Sequence, residues 1–209
     1  MVTLRIDAVQ PDPALVARAA VILRAGGIVA YPTDTFYGLA ADPASVAAIL
    51  QLYRIKGRHV DQAMPLVASG VEQVEACAGA LAPLARRLVE RLWPGPLTIV
   101  IPAWAGLGEA VHAGTGTVAV RVPAHPTARA LAAACGWPIT STSANRSGDP
   151  APTTAADVRL ALGASLDAII DGGALPGGRP STIVDVTGLE PRLVRAGAVP
   201  WERVLECLQ

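Results

Sequence analysis

Lys56 and Arg58 stand two residues apart, with Arg54 just before them, and Lys56 is the chain's only lysine against 16 arginines. Such a concentration of positive charge suits phosphate oxygens. Guanidinium is a planar fork that grips an oxyanion with two N–H groups, whereas ammonium is a compact point charge on a flexible stem, so one lysine among arginines points to a narrow site for a single charge. The only asparagine, Asn145, lies in Ser141-Thr142-Ser143-Ala144-Asn145-Arg146-Ser147-Gly148. There a strand is expected to end in hydroxyls, and its backbone N–H groups can cradle phosphate. A third polar run, Tyr31-Pro32-Thr33-Asp34-Thr35-Phe36-Tyr37-Gly38-Leu39, can either line a small pocket or form a turn in which Asp34 and the threonines satisfy local backbone groups.

Other chemistries lack their residues. No Gly-x-x-x-x-Gly-Lys-Ser/Thr and no Gly-x-Gly-x-x-Gly occurs, so a nucleotide would bind without either standard loop. His59, His112 and His125 have no metal-ligand spacing, and Gly-x-Ser-x-Gly is missing, which leaves nucleophile-and-histidine catalysis without a candidate. Cys77, Cys135 and Cys207 are an odd set that suits a reducing compartment rather than a disulfide scaffold. Cys77, Cys135 and Tyr53 read as core residues.

These residues need a frame to hold them. Asp12-Pro13 through Gly26-Gly27 has an N-cap, a first-turn proline and a glycine stop, which predicts a helix before a buried strand over 28–31. Asp42-Pro43 is expected to open a second helix ending near Gly57, placing Lys56 and Arg58 at its exit. Further helices are expected over 71–78, 83–92, 125–134 and 154–162 and from Pro200. Strands are expected over 65–68, 97–101, 117–122, 139–142 and 168–170, with 181–186 and 192–195 as an antiparallel pair. Gly172-Gly173 and Gly177-Gly178 read as a flexible connection before Ser181. Helices and strands interleave without a break in composition, so one α/β domain over 1–209 with a twisted mixed parallel/antiparallel sheet is the economical architecture.

Composition bounds the function. At 209 residues and 52% apolar content the chain can fill a sizeable core. Seventeen basic residues balance 17 acidic ones, so no global field holds a polyanion and any anion site is local. No apolar run reaches the roughly 18 residues needed to span a bilayer, and the start of the chain has no signal-like pattern, so a soluble cytoplasmic protein is expected.

Taken in order, several segments resemble the YrdC-like family of threonylcarbamoyl-AMP synthases over nearly the whole chain. They are Gly-Gly-Ile-Val-Ala-Tyr-Pro-Thr-Asp-Thr-Phe-Tyr-Gly-Leu, Lys-Gly-Arg at 56–58, Trp-Pro-Gly-Pro-Leu-Thr at 93–98, Thr-Val-Ala-Val-Arg-Val-Pro at 117–123, Ser-Ala-Asn at 143–145, Pro-Ser-Thr-Ile-Val-Asp at 180–185 and Leu-Val-Arg-Ala-Gly at 193–197. The resemblance implies an α/β fold with a deep basic cavity. It also implies a reaction joining L-threonine, bicarbonate or CO2 and ATP, with Mg²⁺, into threonylcarbamoyl-AMP and pyrophosphate for modification of a tRNA adenosine. Carried over by position, Lys56, Arg58, Thr117, Ser143, Asn145 and Arg195 would hold ATP, with Lys56 and Arg58 stabilising charge. Thr33, Arg121, Ser141 and Ser181 would hold threonine. The chain departs from the family pattern at His59, where proline is frequent, and at Ala68-Ser69, where some members carry histidine. Ending near 209, it resembles the short form of the family. The resemblance also implies a possible transient contact with the tRNA threonylcarbamoyl-transfer machinery. Two other readings stand beside it: an RNA-binding module built on the arginines around 54–58 and 86–91, and an adenylating relative acting on another amine or carbamoyl acceptor. A segment over 57–64 or 172–179 is expected to cover the site.

Overall fold

A computed structural model describes residues 1–209, and its strands divide between two mixed sheets rather than the one expected. The chain enters as β1 (Val2–Arg5), runs through α1 (Pro13–Arg24) and forms a hairpin of β2 (Val29–Pro32) and β3 (Tyr37–Ala40). Next come α2 (Val46–Lys56), β4 (Leu66–Val67), α3 (Val71–Ala78), α4 (Pro83–Leu92) and β5 (Leu97–Pro102). The middle continues through α5 (Glu109–His112), β6 (Thr117–Arg121) and α6 (Pro126–Cys135) to two short strands, β7 (Ile139–Thr140) and β8 (Thr142–Ser143). The chain then passes through α7 (Ala155–Leu162), β9 (Ala168–Asp171), β10 (Thr182–Asp185), β11 (Arg192–Arg195) and α8 (Trp201–Glu206).

The five-stranded sheet has the order β1-β9-β2-β3-β8 and the six-stranded sheet β11-β10-β5-β6-β4-β7. Parallel pairs such as β2 with β9 and β5 with β10 sit beside antiparallel hairpins. β2 is buried on both faces. Val29 and Tyr31 pack into a smaller apolar cluster with α1 and α6, while Ala30 faces the larger cluster shared with α2 and the second sheet. In the six-stranded sheet Leu97, Ile99, Ile101, Val118 and Val120 fill that larger core. Strand alternation therefore sends Thr98, Ala119 and Arg121 to the opposite face.

Three local departures from expectation shape the site. Tyr37–Ala40 is a strand paired with β2, Pro32 opposite Tyr37, so the polar run is a hairpin with its turn at 33–36. The second helix starts at Val46, where the Ser45 hydroxyl accepts from the Ala48 N–H at 3.3 Å, because Asp42 is spent on a turn one step earlier, its carboxylate accepting from the Ala44 N–H at 2.8 Å. The expected single strand over 139–142 breaks at Ser141: β7 pairs with β4 in one sheet and β8 with β3 in the other. The chain thus changes sheets at one residue, and most of the residues expected at the site gather around that crossing.

Candidate active site

A cleft of about 570 Å³ opens at the junction of the two sheets. The hairpin turn and Ser143 form one wall, and Ser141 lies at the crossing. Thr98, Arg121 and Arg195, with Ser181 just before β10, come from the face of the six-stranded sheet turned away from the larger core, and Arg58 comes from the loop after α2. Seven of the ten residues expected from the sequence, Thr33, Arg58, Arg121, Ser141, Ser143, Ser181 and Arg195, therefore line one cavity.

The other three stand apart from its surface. Lys56 and Asn145 are buried, at 3% and 7% exposure, and form the base behind Ser143. The Lys56 ammonium donates to Ser143 O at 2.6 Å, Ser143 Oγ at 3.3 Å and Asn145 Oδ1 at 3.1 Å, and the Asn145 amide in turn donates to Asp149 O. The solitary lysine and solitary asparagine thus bind each other, one hydrogen bond behind the cleft wall. Gly57, in the left-handed region at φ 59°, closes α2, so Lys56 points inward on the last turn while Arg58 emerges toward the cleft. Thr117 lies on the same face of β6 as Ala119 and Arg121, at the far end of that strand and outside the cleft lining, with its hydroxyl 3.2 Å from that of Thr115.

Charge is unevenly neutralised. Arg121 pairs with Asp34, a residue of the run read as either a pocket lining or a local turn and given no role of its own, and its Nε donates to Gly95 O at 2.8 Å. Its guanidinium is therefore partly committed before any ligand arrives. Arg195 has no carboxylate partner; it donates to Ser181 O at 2.8 Å and Ser181 Oγ at 3.1 Å. Burial, and secondarily the positive charge of Arg121, depress its pKa. Arg58 is likewise outside every ion pair, its Nε donating to Gln62 Oε1. Burial, reinforced by Arg58 and opposed by Asp149, lowers the Lys56 pKa to about 8. Two unpaired guanidiniums on the wall and one ammonium behind it leave the cavity short of negative charge, which an anion would supply.

The hydroxyls carry structural duties as well. Thr33 Oγ1 donates to Phe36 O at 2.7 Å and lies 3.3 Å from the Thr35 and Phe36 N–H groups, so it ties the turn while facing the cleft. Both readings of that segment hold at once. Thr98 and Gly197 were missed: Thr98 faces the cavity from an otherwise apolar strand, and Gly197 lies against the backbone that carries Ser181. Each ends a sequence block already noted, and the alternation of Thr98 with Leu97 and Ile99 was a usable signal. The connection over 172–180 is pinned, Gly177 N–H donating to Thr35 O at 3.1 Å and Leu175 N–H to Thr153 O at 2.8 Å. His59 is exposed and Ser69 half-buried, both outside the lining. As expected, Tyr53 and Cys135 are core residues, while Cys77 is only partly buried.

Fold and site together define an α/β protein with a cleft, carrying two guanidiniums outside any ion pair, where two mixed sheets meet. The Sua5–YciO–YrdC family, described as "Telomere recombination", matches residues 21–197, and the chain belongs to it. A threonylcarbamoyl-AMP synthase of Thiobacillus denitrificans is 43% identical over 164 residues, 78% of this chain and 87% of that protein. A second, from Pyrococcus abyssi, is 39% identical over 186 residues, 89% of this chain but 55% of that protein. The crystal structure of P. abyssi Sua5 complexed with L-threonine superposes with a TM-score of 0.93 at 35% identity, covering 100% of this chain and 61% of that one. The chain thus spans little more than half of these P. abyssi relatives.

Proposed function

We propose that the protein is an L-threonylcarbamoyladenylate synthase, a nucleotidyltransferase that converts L-threonine, bicarbonate or CO2 and ATP into threonylcarbamoyl-AMP and pyrophosphate. The observation that carries this reading is the convergence in one cleft of unpaired Arg58 and Arg195, with Lys56 behind them, beside the opposed charges of Arg121 and Asp34. The unpaired cations complement a triphosphate. The Arg121–Asp34 pair complements a zwitterion, its guanidinium meeting the amino acid's carboxylate and its carboxylate meeting the ammonium. Relatives that carry the synthase name, and one that binds L-threonine, support the assignment.

The lining includes no cysteine, histidine or lysine, so positioning and charge neutralisation supply the catalysis. The ammonium first gives a proton to bicarbonate or water; the neutral amine then attacks CO2 to form an N–C bond, one C–O π pair moving to oxygen, and a second proton is shed in the same way. A carbamate oxygen then bonds to the α-phosphorus as the bond from that phosphorus to the β-phosphate oxygen breaks, and pyrophosphate leaves with the electron pair. Arg58 and Arg195 offset the charge that accumulates on the leaving group. No group of three or more His, Cys, Asp or Glu side chains is placed to hold a metal, and Asp34 is committed to Arg121. The chain's residues do not fit a protein-held Mg²⁺; the ion would enter as the ATP complex, held by phosphate and water.

In this reading the product serves tRNA threonylcarbamoyladenosine formation in the cytoplasm, passed on through transient contact with the transfer machinery. No helix is long and apolar enough to cross a membrane. Purified protein supplied with ATP, Mg²⁺ and bicarbonate should release pyrophosphate with L-threonine and at most about a hundredth as fast with L-valine. Hydroxyl-binding groups are left unpaired by the isostere, which makes such discrimination strong. Equal rates with the two amino acids would contradict the assignment.

A further inference from the structure

Thr98 lies on β5, and its partner across the parallel pair with β10 is Ile183; across the next pair, Ile183 stands opposite Arg195 on β11. Thr98, Ile183 and Arg195 therefore form one row across three adjacent strands. Ser181, two residues back from Ile183, projects on the same face as the diagonal neighbour of that row. The row brings two hydroxyls and a guanidinium together. Thr98 Oγ1 and Ser181 Oγ are 2.8 Å apart, and Arg195 Nη2 reaches Ser181 Oγ at 3.1 Å and Ser181 O at 2.8 Å.

A count of protons gives these contacts a direction. A hydroxyl donates once and accepts twice, and guanidinium only donates. Thr98 is 3% exposed, and its hydroxyl has Ser181 Oγ as its sole hydrogen-bond partner. Were Ser181 to donate to Thr98, the Thr98 proton would have no acceptor within the protein, on a side chain with little access to solvent, a costly arrangement. The stable assignment has Thr98 donating to Ser181 Oγ and Arg195 donating to the same oxygen, which fills both of its acceptor positions.

We propose that Thr98 is a positioning residue for the proposed reaction: by donating to Ser181 Oγ alongside Arg195, it turns the Ser181 proton into the cleft as a fixed donor for an anionic oxygen. Ser181 then cannot accept from the substrate ammonium, and that group falls to Asp34. The oxygen that Ser181 meets belongs either to the amino acid's carboxylate or to a phosphate of the nucleotide, since Arg121 and Arg195 favour either.

The inference rests on the synthase reading and is tested beside it. Pyrophosphate release would be followed for the wild type, Thr98→Val, Thr98→Ser, Ser181→Ala and the Thr98→Val/Ser181→Ala pair, with KM measured separately for L-threonine and ATP. Valine matches the shape of threonine without its hydroxyl, and circular dichroism melting confirms that each variant folds. Thr98→Val should raise KM for one substrate by about 10-fold or more, the loss expected for a hydrogen bond to a charged group. The substrate affected identifies the anionic oxygen. Thr98→Ser should restore most of the affinity, and the double variant should be no worse than Ser181→Ala because Thr98 acts through Ser181. Unchanged KM values in Thr98→Val, additive losses in the double variant, or Thr98→Ser as impaired as Thr98→Val would each overturn the positioning role while leaving the synthase reading intact. A wild type that releases no pyrophosphate would overturn that reading and this assignment with it.

Discussion

Lys56 is held at a cost. Burial drives its pKa down to about 8, while three acceptors from Ser143 and Asn145 keep its ammonium in place. Between a folded value near 8 and the ordinary lysine value of 10.5 the folded state binds fewer protons than the unfolded one, so Lys56 makes stability rise with pH across that window. Its effect on a bound triphosphate has the opposite sign. The positive charge is present below about pH 8 and fades above it, so kcat/KM for ATP should fall as pH rises through that value. Lys56→Ala should lower kcat/KM by about 100-fold at pH 7, consistent with losing a buried charged partner, and should flatten the alkaline limb. An alkaline limb that survives in Lys56→Ala would remove Lys56 from the titration. Both this residue and Asn145 were legible in the sequence because each is the only one of its type. Their burial behind Ser143 was not, since it depends on α2 and the chain after β8 meeting across nearly ninety positions of sequence.

The elements around the site act through close backbone approach. A Cβ on Gly197 would fall 2.4 Å from Pro180 O, Ser181 C and Thr182 N, so no side chain fits there without moving the segment that carries Ser181. Two bonds fasten the same segment: Ala198 N–H donates to Pro180 O at 2.8 Å, and the Thr182 hydroxyl donates to Val199 O at 2.6 Å. Gly197→Ala should therefore cost about 1–3 kcal/mol as an overpacked contact, read as a fall in Tm of about 3–10 °C for a chain of this size. KM should rise in parallel as Ser181 and Arg195 shift; an unchanged Tm and KM would show that the segment yields freely. At this scale the sequence was informative wherever a cap or a long apolar period marked the element, as at α1 with Asp12, Pro13 and its glycine stop. It was silent on β1, α5 and β3. β1 and α5 have only four residues each. β3 lies in the polar run whose threonines and carboxylate read as a loop until Tyr37, Gly38 and Leu39 are seen paired with β2. The break at Ser141 was also illegible, because the β-branched and hydroxyl residues on either side suit a strand in whichever sheet receives them.

For the molecule as a whole, zero formal charge conceals a polarised interior. Acidic residues neutralise Arg86, Arg121, Arg192 and Arg203 in ion pairs but leave Arg58 and Arg195 free at the sheet junction. The two-sheet arrangement produces this, since one sheet supplies the hairpin turn and Ser143, the other supplies Thr98, Arg121 and Arg195, and neither alone encloses a ligand. The central claim is that the triphosphate and the amino acid react in that shared cleft. Its most direct test supplies the protein with ATP labelled in the α-phosphate and with labelled bicarbonate, then separates the products. Both labels are predicted in one species that forms only when L-threonine is present, one pyrophosphate being released for each. Labels in separate species, or incorporation of either without threonine, would contradict the account.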